Sequence, residues 1–523
     1  MSYRLVLRQL GLLMLVLGGG MGLMAGLEYL IWADLGRGER VGLIAMGSSA
    51  LIGAAVGLGL WRLGRSRDTT PMMSRREALL LVACSWVLGA AVSGLPYWLW
   101  ATVGGAGARL PGEADQPHVF RSYVASYFEA MSGLTTTGAT VLGDIGGLPN
   151  SLLLWRATTH WLGGLGIVVL FVAVLPIIGT GGKKLFNVEA PGPQQQGVRP
   201  RIGDTARLLW MIYTGITLAA LASFRLAGMS WFDAVCHSFS VVSTGGLSTR
   251  DASIGHFDSA AIDCVSMLFM LLAGVNFGLM FAAVRGKWSA VWKDEELRVY
   301  LALKLAVIAI VAVDIHGREI VTTAGHTIDA TAGQALRFAG FQTISLHTGT
   351  GFCTADYDLW PFVSRTLIVG LMFIGGCAGS TAGGIKVIRF WIALKVIAAS
   401  LERSFRPQVV RPLRVGSAVI DEDRKLSAVT YCVFVLVIFA VGAMAIGFLE
   451  SRRGVDVDFL TAATASLSTL GNIGPGFDRI GATGNYGWFS DGSLAVMSLL
   501  MMLGRLEIYA VAVLLLPRFW RGD

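Results

Sequence analysis

Apolar residues in this chain come in long unbroken runs rather than in alternating or one-faced patterns. Two runs open the sequence, near residues 8–32 and 41–63, separated by a short polar turn that holds Gly36 and Gly38. Eight more follow in pairs: 77–103 with 149–179, 205–228 with 258–284, 297–314 with 362–400, and 425–449 with 486–517. About 20 apolar residues in helical rise match the roughly 30 Å hydrocarbon core of a bilayer, so the pattern favours a helical membrane bundle over a β-barrel. Inside each pair lies a shorter apolar segment, at 119–134, 231–243, 333–348 and 457–470, followed by a glycine-rich stretch. Between 134 and 149 the chain is too short and too rich in glycine to cross again. A half-helix that enters and turns back fits, because irregular backbone at membrane depth is tolerated only where it lines a cavity or is buried in protein. The expected fold is an all-α polytopic membrane protein of about ten transmembrane helices plus four pore half-helices.

The glycine-rich stretches are copies of one another. A serine stands six residues before a glycine in each, as Ser132 and Gly138, Ser240 and Gly246, Ser345 and Gly351, and Ser468 and Gly474; the glycines are 108, 105 and 123 residues apart. The chain therefore divides into an accessory hairpin over 1–70, which has no such loop, and four repeats over 71–190, 191–290, 291–415 and 416–523.

Composition changes this picture little. A mean hydropathy of +0.63 with 15% charged residues is too apolar for an ordinary soluble chain of 523 residues. The net charge of +8 suggests nucleic acid only until the basic residues are located. They cluster at helix ends, as Lys183, Lys184, Arg199, Arg201 and Arg207, then Arg285, Lys287, Lys293 and Arg298, then Lys395, Arg403, Arg406, Arg411, Arg414, Arg424 and Lys425, and finally Arg518 and Arg521. All fall on one side of the expected topology, and the opposite loops lean acidic through residues such as Glu113, Asp115, Asp144, Asp251, Asp356 and Asp458. The positive-inside rule then makes both termini cytoplasmic and opens the four loops outward, with no nucleic-acid partner expected. Cys84, Cys236, Cys264, Cys353, Cys377 and Cys432 are scattered without CxxC spacing and read as small buried hydrophobes. The N-terminal run is longer than a signal-peptide core and reads as a retained helix.

Candidate chemistry lies in the loops. Their centres read Thr136-Thr137-Gly138, Thr244-Gly245-Gly246, Gly349-Thr350-Gly351 and Asn472-Ile473-Gly474. Glycine admits backbone conformations closed to other residues, and rings of carbonyl oxygens from four loops replace the hydration shell of K⁺. Each half-helix also aims its negative end at the cavity beneath. One such loop alone fits close helix packing as well; four at near-equal spacing favour a pore.

A second unusual stretch, Gly375, Gly376, Gly379, Gly383 and Gly384 around Cys377 to Ala382, interrupts the 362–400 run. Each interior glycine costs about 1 kcal/mol relative to alanine, so a break is expected there, below the loops; a close helix crossing is the other reading. Arg505 sits inside the last apolar run, where a charge costs at least about 2.5–3.5 kcal/mol and normally faces a cavity or a partner. It would raise the barrier to cations, unless it pairs with Glu507 or another acid, or snorkels to the interface. Lys386 either assists it or anchors at the interface. Glu129 and Asp233, on the first two half-helices, attract cations or bond nearby loop backbone. Trp161-Leu162-Gly163-Gly164 reads as close packing behind the loops, and His160, His237 and His347 have no metal-ligand spacing.

Met131-Ser132-Gly133-Leu134-Thr135-Thr136-Thr137-Gly138-Ala139-Thr140, Ser243-Thr244-Gly245-Gly246-Leu247-Ser248-Thr249, Thr348-Gly349-Thr350-Gly351-Phe352 and Asn472-Ile473-Gly474-Pro475-Gly476 together resemble the Trk/Ktr/HKT superfamily of K⁺ transporters, and within it the bacterial Trk-type membrane subunit. The resemblance implies four M1-P-M2 units around a pseudo-fourfold pore and the N-terminal hairpin of the Trk branch. It also implies K⁺ held by filter carbonyls alone, an intramembrane gate loop at 375–384 with Arg505 beside it, and a homodimer in the bacterial inner membrane. A cytosolic ring of nucleotide-binding regulatory subunits, responding to NAD(H) or ATP, is implied as a partner on the basic loops near 182–207, 285–298 and 395–425; anionic lipid headgroups are the other candidate there. Serine at the first filter glycine accompanies Na⁺ permeation in some plant members of the family, so Gly138 favours K⁺. The non-identical loops imply weaker discrimination against Rb⁺ or Na⁺ than four identical ones would give.

No GxxxxGK[ST], HExxH or GxSxG motif stands in its required context, and no cofactor bound by the chain is expected. The expected function is channel-like K⁺ translocation by a non-enzyme; a carrier coupling K⁺ to H⁺ or Na⁺ by symport is the alternative.

Overall fold

The computed structural model describes residues 2–31, 37–65, 73–104, 118–164, 166, 202–408, 412–506 and 508–521. Two long helices, α1 (Tyr3–Ile31) and α2 (Arg37–Leu63), pair as the N-terminal hairpin. They are followed by α3 (Arg75–Val103), which starts on a capping box: Ser74 accepts from the Glu77 N–H, and the Glu77 carboxylate accepts from the Ser74 N–H. The first half-helix, α4 (Tyr123–Leu134), and α5 (Asn150–Gly164) complete the first unit.

The second unit contains α6 (Ile202–Leu226), the half-helix α7 (Trp231–Val242), α8 (Ala260–Ala273) and α9 (Phe277–Val284). After the short α10 (Trp288–Lys293), the third unit runs through α11 (Glu295–Ile315), a two-stranded hairpin β1 (Glu319–Val321) and β2 (Thr327–Asp329), the half-helix α12 (Ala332–His347), α13 (Phe362–Met372) and α14 (Val387–Phe405). A second hairpin, β3 (Arg414–Val415) and β4 (Ala418–Val419), leads to α15 (Glu422–Arg452), the half-helix α16 (Phe459–Gly471), α17 (Asp491–Arg505) and α18 (Tyr509–Ala512). These hairpins correct the all-α expectation locally.

Each half-helix begins on a side chain that accepts an otherwise orphaned N–H. Ser122, Ser230, Thr331 and Asp458 accept from Ala125, Asp233, Gln334 and Leu460. A polar start of this kind fixes where each short helix enters; the second, third and fourth begin within two residues of their apolar patterns, and the first begins four residues later, at Tyr123.

The long second helices depart from expectation. The predicted continuous helix over 258–284 is broken at Gly274–Asn276, where its halves meet at 102°. The run over 486–517 is broken after Arg505, with Ile508 at a left-handed φ of +49°. The 362–400 run is broken at 373–386, as its glycines predict. Of the run over 149–179, helix is seen to Gly164; residues 167–179 lie outside the described residues, as do Lys183, Lys184, Arg199 and Arg201.

Among the described residues, five helices are long and apolar enough to cross a membrane, or six if the bent pair counts as one. The outer faces carry many apolar side chains. On α15, Leu426, Val433, Val437, Val441, Met444 and Phe448 are exposed, the surface of a chain whose solvent is lipid. Cys236, Cys353 and Cys377 are buried as predicted, but Cys264 is exposed, on the outer face of its helix; all six cysteines are free thiols.

Candidate functional site

The four glycine-rich loops, far apart in sequence, close into one ring. The N–H groups of Thr137, Gly245, Thr350 and Ile473 donate to the carbonyls of Ser132, Ser240, Ser345 and Ser468 at 2.9, 2.8, 2.9 and 3.0 Å, the same turn in every copy. Two residues in each loop take left-handed backbone: Thr136, Thr244, Gly349 and Asn472 at φ +52°, +55°, +71° and +53°, then Gly138, Gly246, Gly351 and Gly474 at +83°, +84°, +79° and +101°. Left-handed backbone thus recurs at the same two places in every loop, which a strand does not show. Three of the first set are not glycine, a strain of order 1–3 kcal/mol each that the surrounding packing sustains.

Contact between the loops is equally regular. A Cβ on Gly138 would lie 2.1 Å from the Gly245 carbonyl oxygen, on Gly246 1.8 Å from that of Thr350, on Gly351 2.0 Å from that of Ile473, and on Gly474 2.8 Å from that of Thr137. Each loop thus leans on the carbonyl of the next, and the fourth returns to the first. All four of these glycines also line one recess, together with Arg250, Asp251 and Tyr486.

Three of the loops are held behind the ring by a side chain three residues before the serine. Glu129 accepts from the Val141 N–H at 3.0 Å and from the Thr140 hydroxyl; His237 Nε2 meets the Ser248 hydroxyl at 3.0 Å; Gln342 donates to the Ala355 carbonyl at 2.7 Å. The fourth copy has Ala465 at that position, and Thr464 accepts from the Phe477 N–H instead. Glu129 and Asp233 are therefore loop supports rather than free cation attractors. Glu129 is paired with Arg156 at 2.8 Å, both fully buried, and Arg156 donates onward to the Ser248 carbonyl, tying loops one and two. Asp233 accepts from the Thr249 hydroxyl at 2.6 Å.

His160 is a second tie. Its Nε2 accepts from the Leu247 N–H, so its Nδ1 carries the proton and donates to the Gly133 carbonyl at 2.7 Å. Gly163 and Gly164 pack as predicted: a Cβ there would meet the Leu134 carbonyl at 1.8 Å and the Tyr213 hydroxyl at 2.2 Å. His347 meets Lys304 Nζ at 2.8 Å, a buried pair absent from the sequence expectations. Among the described residues no group of three His, Cys, Asp or Glu converges as a metal site.

Below the ring, the 373–386 segment leaves the helix as a loop whose ends pair through Ile374 and Ile385. It fills the break in the second unit: Cys377 N–H donates to the Gly274 carbonyl, Phe277 N–H to that of Gly379, and the Thr381 hydroxyl to those of Ala273 and Val242. Gly383 lies against Gly471 and Asn472 at the end of α16. The loop therefore crosses beneath the half-helix C-termini, touching two of them.

Arg505 reaches it from the opposite side. Its guanidinium donates to the Thr381 carbonyl at 2.6 Å and to the carbonyls of Gly163 and Gly164 at 2.6 and 2.8 Å. Those last two carbonyls end α5, where partial negative charge and unsatisfied acceptors favour a cation. Close packing makes the reach feasible, since a Cβ on Gly504 would lie 1.9 Å from the Leu470 carbonyl. Snorkelling is thereby corrected; Glu507, the alternative ion-pair partner, lies outside the described residues. Lys386 is buried and donates to the Ala382 carbonyl, so it braces the loop and does not anchor at an interface.

Sequence reasoning missed Arg156, Lys304, Asn276 and Glu296. Asn276 caps the helix after the 102° break, and Glu296 accepts from the Ala378 and Ile388 N–H groups at 2.7 and 3.2 Å. Arg156 and Lys304 each lie in a mostly apolar run and could have been flagged like Arg505; Asn276 and Glu296 carry no such signal.

The family model described as "Cation transport protein", TrkH, matches residues 97–521. The chain is 36% identical to the Trk system potassium uptake protein TrkH of Salmonella typhimurium and 37% identical to that of Halomonas elongata, in each case over the whole of both chains. The crystal structure of the potassium transporter TrkH from Vibrio parahaemolyticus superposes with a TM-score of 0.82 at 31% identity, covering all of both chains.

Proposed function

The chain belongs to the TrkH family of cation transport proteins, and on that premise we propose that it takes up K⁺ through the four-loop ring, as a channel-like pore in the bacterial inner membrane. It is an ion transporter and not an enzyme. The observation that carries the pore reading is the closed sequence of contacts from Gly138 to Gly245, Gly246 to Thr350, Gly351 to Ile473 and Gly474 to Thr137. Such a ring presents backbone oxygens from four sides, the coordination that lets K⁺ shed water. Thr136, Thr137, Gly138 and their counterparts form the filter; the 373–386 loop, Lys386 and Arg505 form the gate. A cation under the filter would face a guanidinium held on three carbonyls, and conduction requires loop and arginine to part.

In this reading the protein works as a homodimer and answers to a cytosolic ring of nucleotide-binding subunits seated on its basic loops. The supports are the family premise and the charge at residues 285–298 and 395–425. Reversal potentials of the protein in proteoliposomes under K⁺, Na⁺ and pH gradients test the pore. A potential that follows the K⁺ gradient alone is expected; a shift with the proton or Na⁺ gradient would establish coupled symport instead.

A further inference from the structure

We infer that the adjacent carboxylates Glu295 and Glu296 are positioning residues that link the β3–β4 hairpin to the 373–386 loop, so that displacement of the hairpin alters ion flux. The inference rests on the pore reading above, with that loop as its gate.

Three acids open α11, and they face three different elements. Asp294 caps its own helix, accepting from the Leu297 N–H at 2.8 Å. Glu296 turns away from that helix. One oxygen, Oε1, accepts from the Ala378 N–H at 2.7 Å and from the Ile388 N–H at 3.2 Å. Ala378 lies in the middle of the loop and Ile388 in the first turn of α14, so one carboxylate oxygen clamps the loop to the helix that follows it. The start of α14 needs an outside acceptor, because first-turn N–H groups have no partner within the helix and Lys386, at its N-cap, gives no side-chain cap.

Glu295 points the other way. Its carboxylate accepts from Trp391 Nε1 at 2.6 Å, pairs with Lys395 and accepts from the Gly416 N–H. Lys395 donates in turn to the Arg414 carbonyl at 2.7 Å. Both contacts with the hairpin are made at its base and turn, and Gly416, Ser417, Ala418 and Val419 are exposed there. Because Glu295 and Glu296 are consecutive residues of one helix, a pull on the first is a pull on the second. The charged groups around the pair are Asp294 on their own element, Lys386 and Lys395 on the α14 side, and Arg414 on the hairpin.

A buried N–H left without an acceptor is costly, so releasing the two on Glu296 changes a gating equilibrium by about an order of magnitude. The test is K⁺ flux in proteoliposomes, without any partner protein, for the wild type, Glu296→Ala, Glu296→Gln and Arg505→Ala. Glu296→Ala is expected to raise basal flux roughly tenfold, whereas Glu296→Gln, whose amide oxygen still accepts both N–H groups, stays within about twofold of wild type. A second measurement needs no variant at Glu296. Ser417→Cys, in a background with the six native cysteines replaced by alanine, is labelled with a bulky polyethylene glycol maleimide to displace the hairpin. Labelling is expected to change flux at least threefold, and Glu295→Ala to abolish that change. Equal flux in wild type and Glu296→Ala, or a label effect that survives Glu295→Ala, overturns the link. If neither wild type nor Arg505→Ala passes K⁺ at all, the pore reading itself fails and takes the link with it.

Discussion

Arg505 and Thr381 meet at 2.6 Å beneath the ring, one at the end of α17 and the other in the 373–386 loop. They stand 124 residues apart in the chain, and the bond joins the fixed charge to the loop that fills the gap in α8–α9. The Gly163 and Gly164 carbonyls hold the same guanidinium from the first unit. Removing the side chain deletes a positive charge beneath the ring and one attachment of the loop together. Arg505→Ala is expected to raise K⁺ flux in proteoliposomes by at least tenfold, with Arg505→Lys intermediate because an ammonium cannot fork across two elements. Unchanged flux in the alanine variant would argue against a barrier at this position.

Gly246 has a left-handed φ of +84° and no room for a Cβ, which would lie 1.8 Å from the Thr350 carbonyl oxygen. Gly246→Ala should therefore push loop three out of the ring and cut K⁺ flux tenfold or more. Gly215→Ala, where nothing lies within 4 Å, serves as the control and should conduct normally. Comparable K⁺ permeation by both variants would show that the ring does not carry the ion.

Glu129 and Arg156 form a fully buried pair at 2.8 Å. Breaking such a pair from one side leaves a buried charge uncompensated, at a cost of about 3–5 kcal/mol. Glu129→Ala is expected to lower the apparent melting temperature of the detergent-solubilised protein by several degrees. Glu129→Gln, which keeps an acceptor for the Val141 N–H, should lose less, and thermal melting of the two variants side by side checks the order.

Asp358 lies outside the membrane-spanning helices, between loop three and α13. Burial, reinforced by the nearby Asp356 and Asp478 carboxylates, raises its pKa from 3.8 to about 6, against the pull of the Asp478 N–H and Arg365. A carboxyl raised on folding contributes stability that is complete below its unfolded value and lost as pH rises through the folded one. At this site, stability should fall between pH 4 and pH 6 as pH increases. Asp358→Asn, whose side-chain oxygen still accepts from the Asp478 N–H, is expected to melt higher than wild type at pH 7.5. The advantage should vanish near pH 4, and melting curves across that range would reveal a flat difference if the assignment were wrong.

Much of this protein was legible along the chain. Long apolar runs set the membrane class, the Ser-to-Gly spacing gave four related loops, and the 375–384 glycines marked a helix break, because each of these follows from local composition and the thickness of a bilayer. Arg505 was visible as a charge without a solvent. Local pattern could not say which loop leans on which, since that order depends on how four distant units pack around one axis. Nor could it show that α8–α9 and the end of α17 also break, because Asn276 and Ile508 look ordinary in sequence and the bonds made at the first break, such as that of the Cys377 N–H to the Gly274 carbonyl, come from a distant segment. The Arg156 partner of Glu129 and the partners of His160 and Glu296 were hidden for the same reason, although the bond of Glu129 to its own loop was expected. Hydrogen bonds between residues tens to a hundred positions apart are set by close packing, and no single stretch of sequence encodes them.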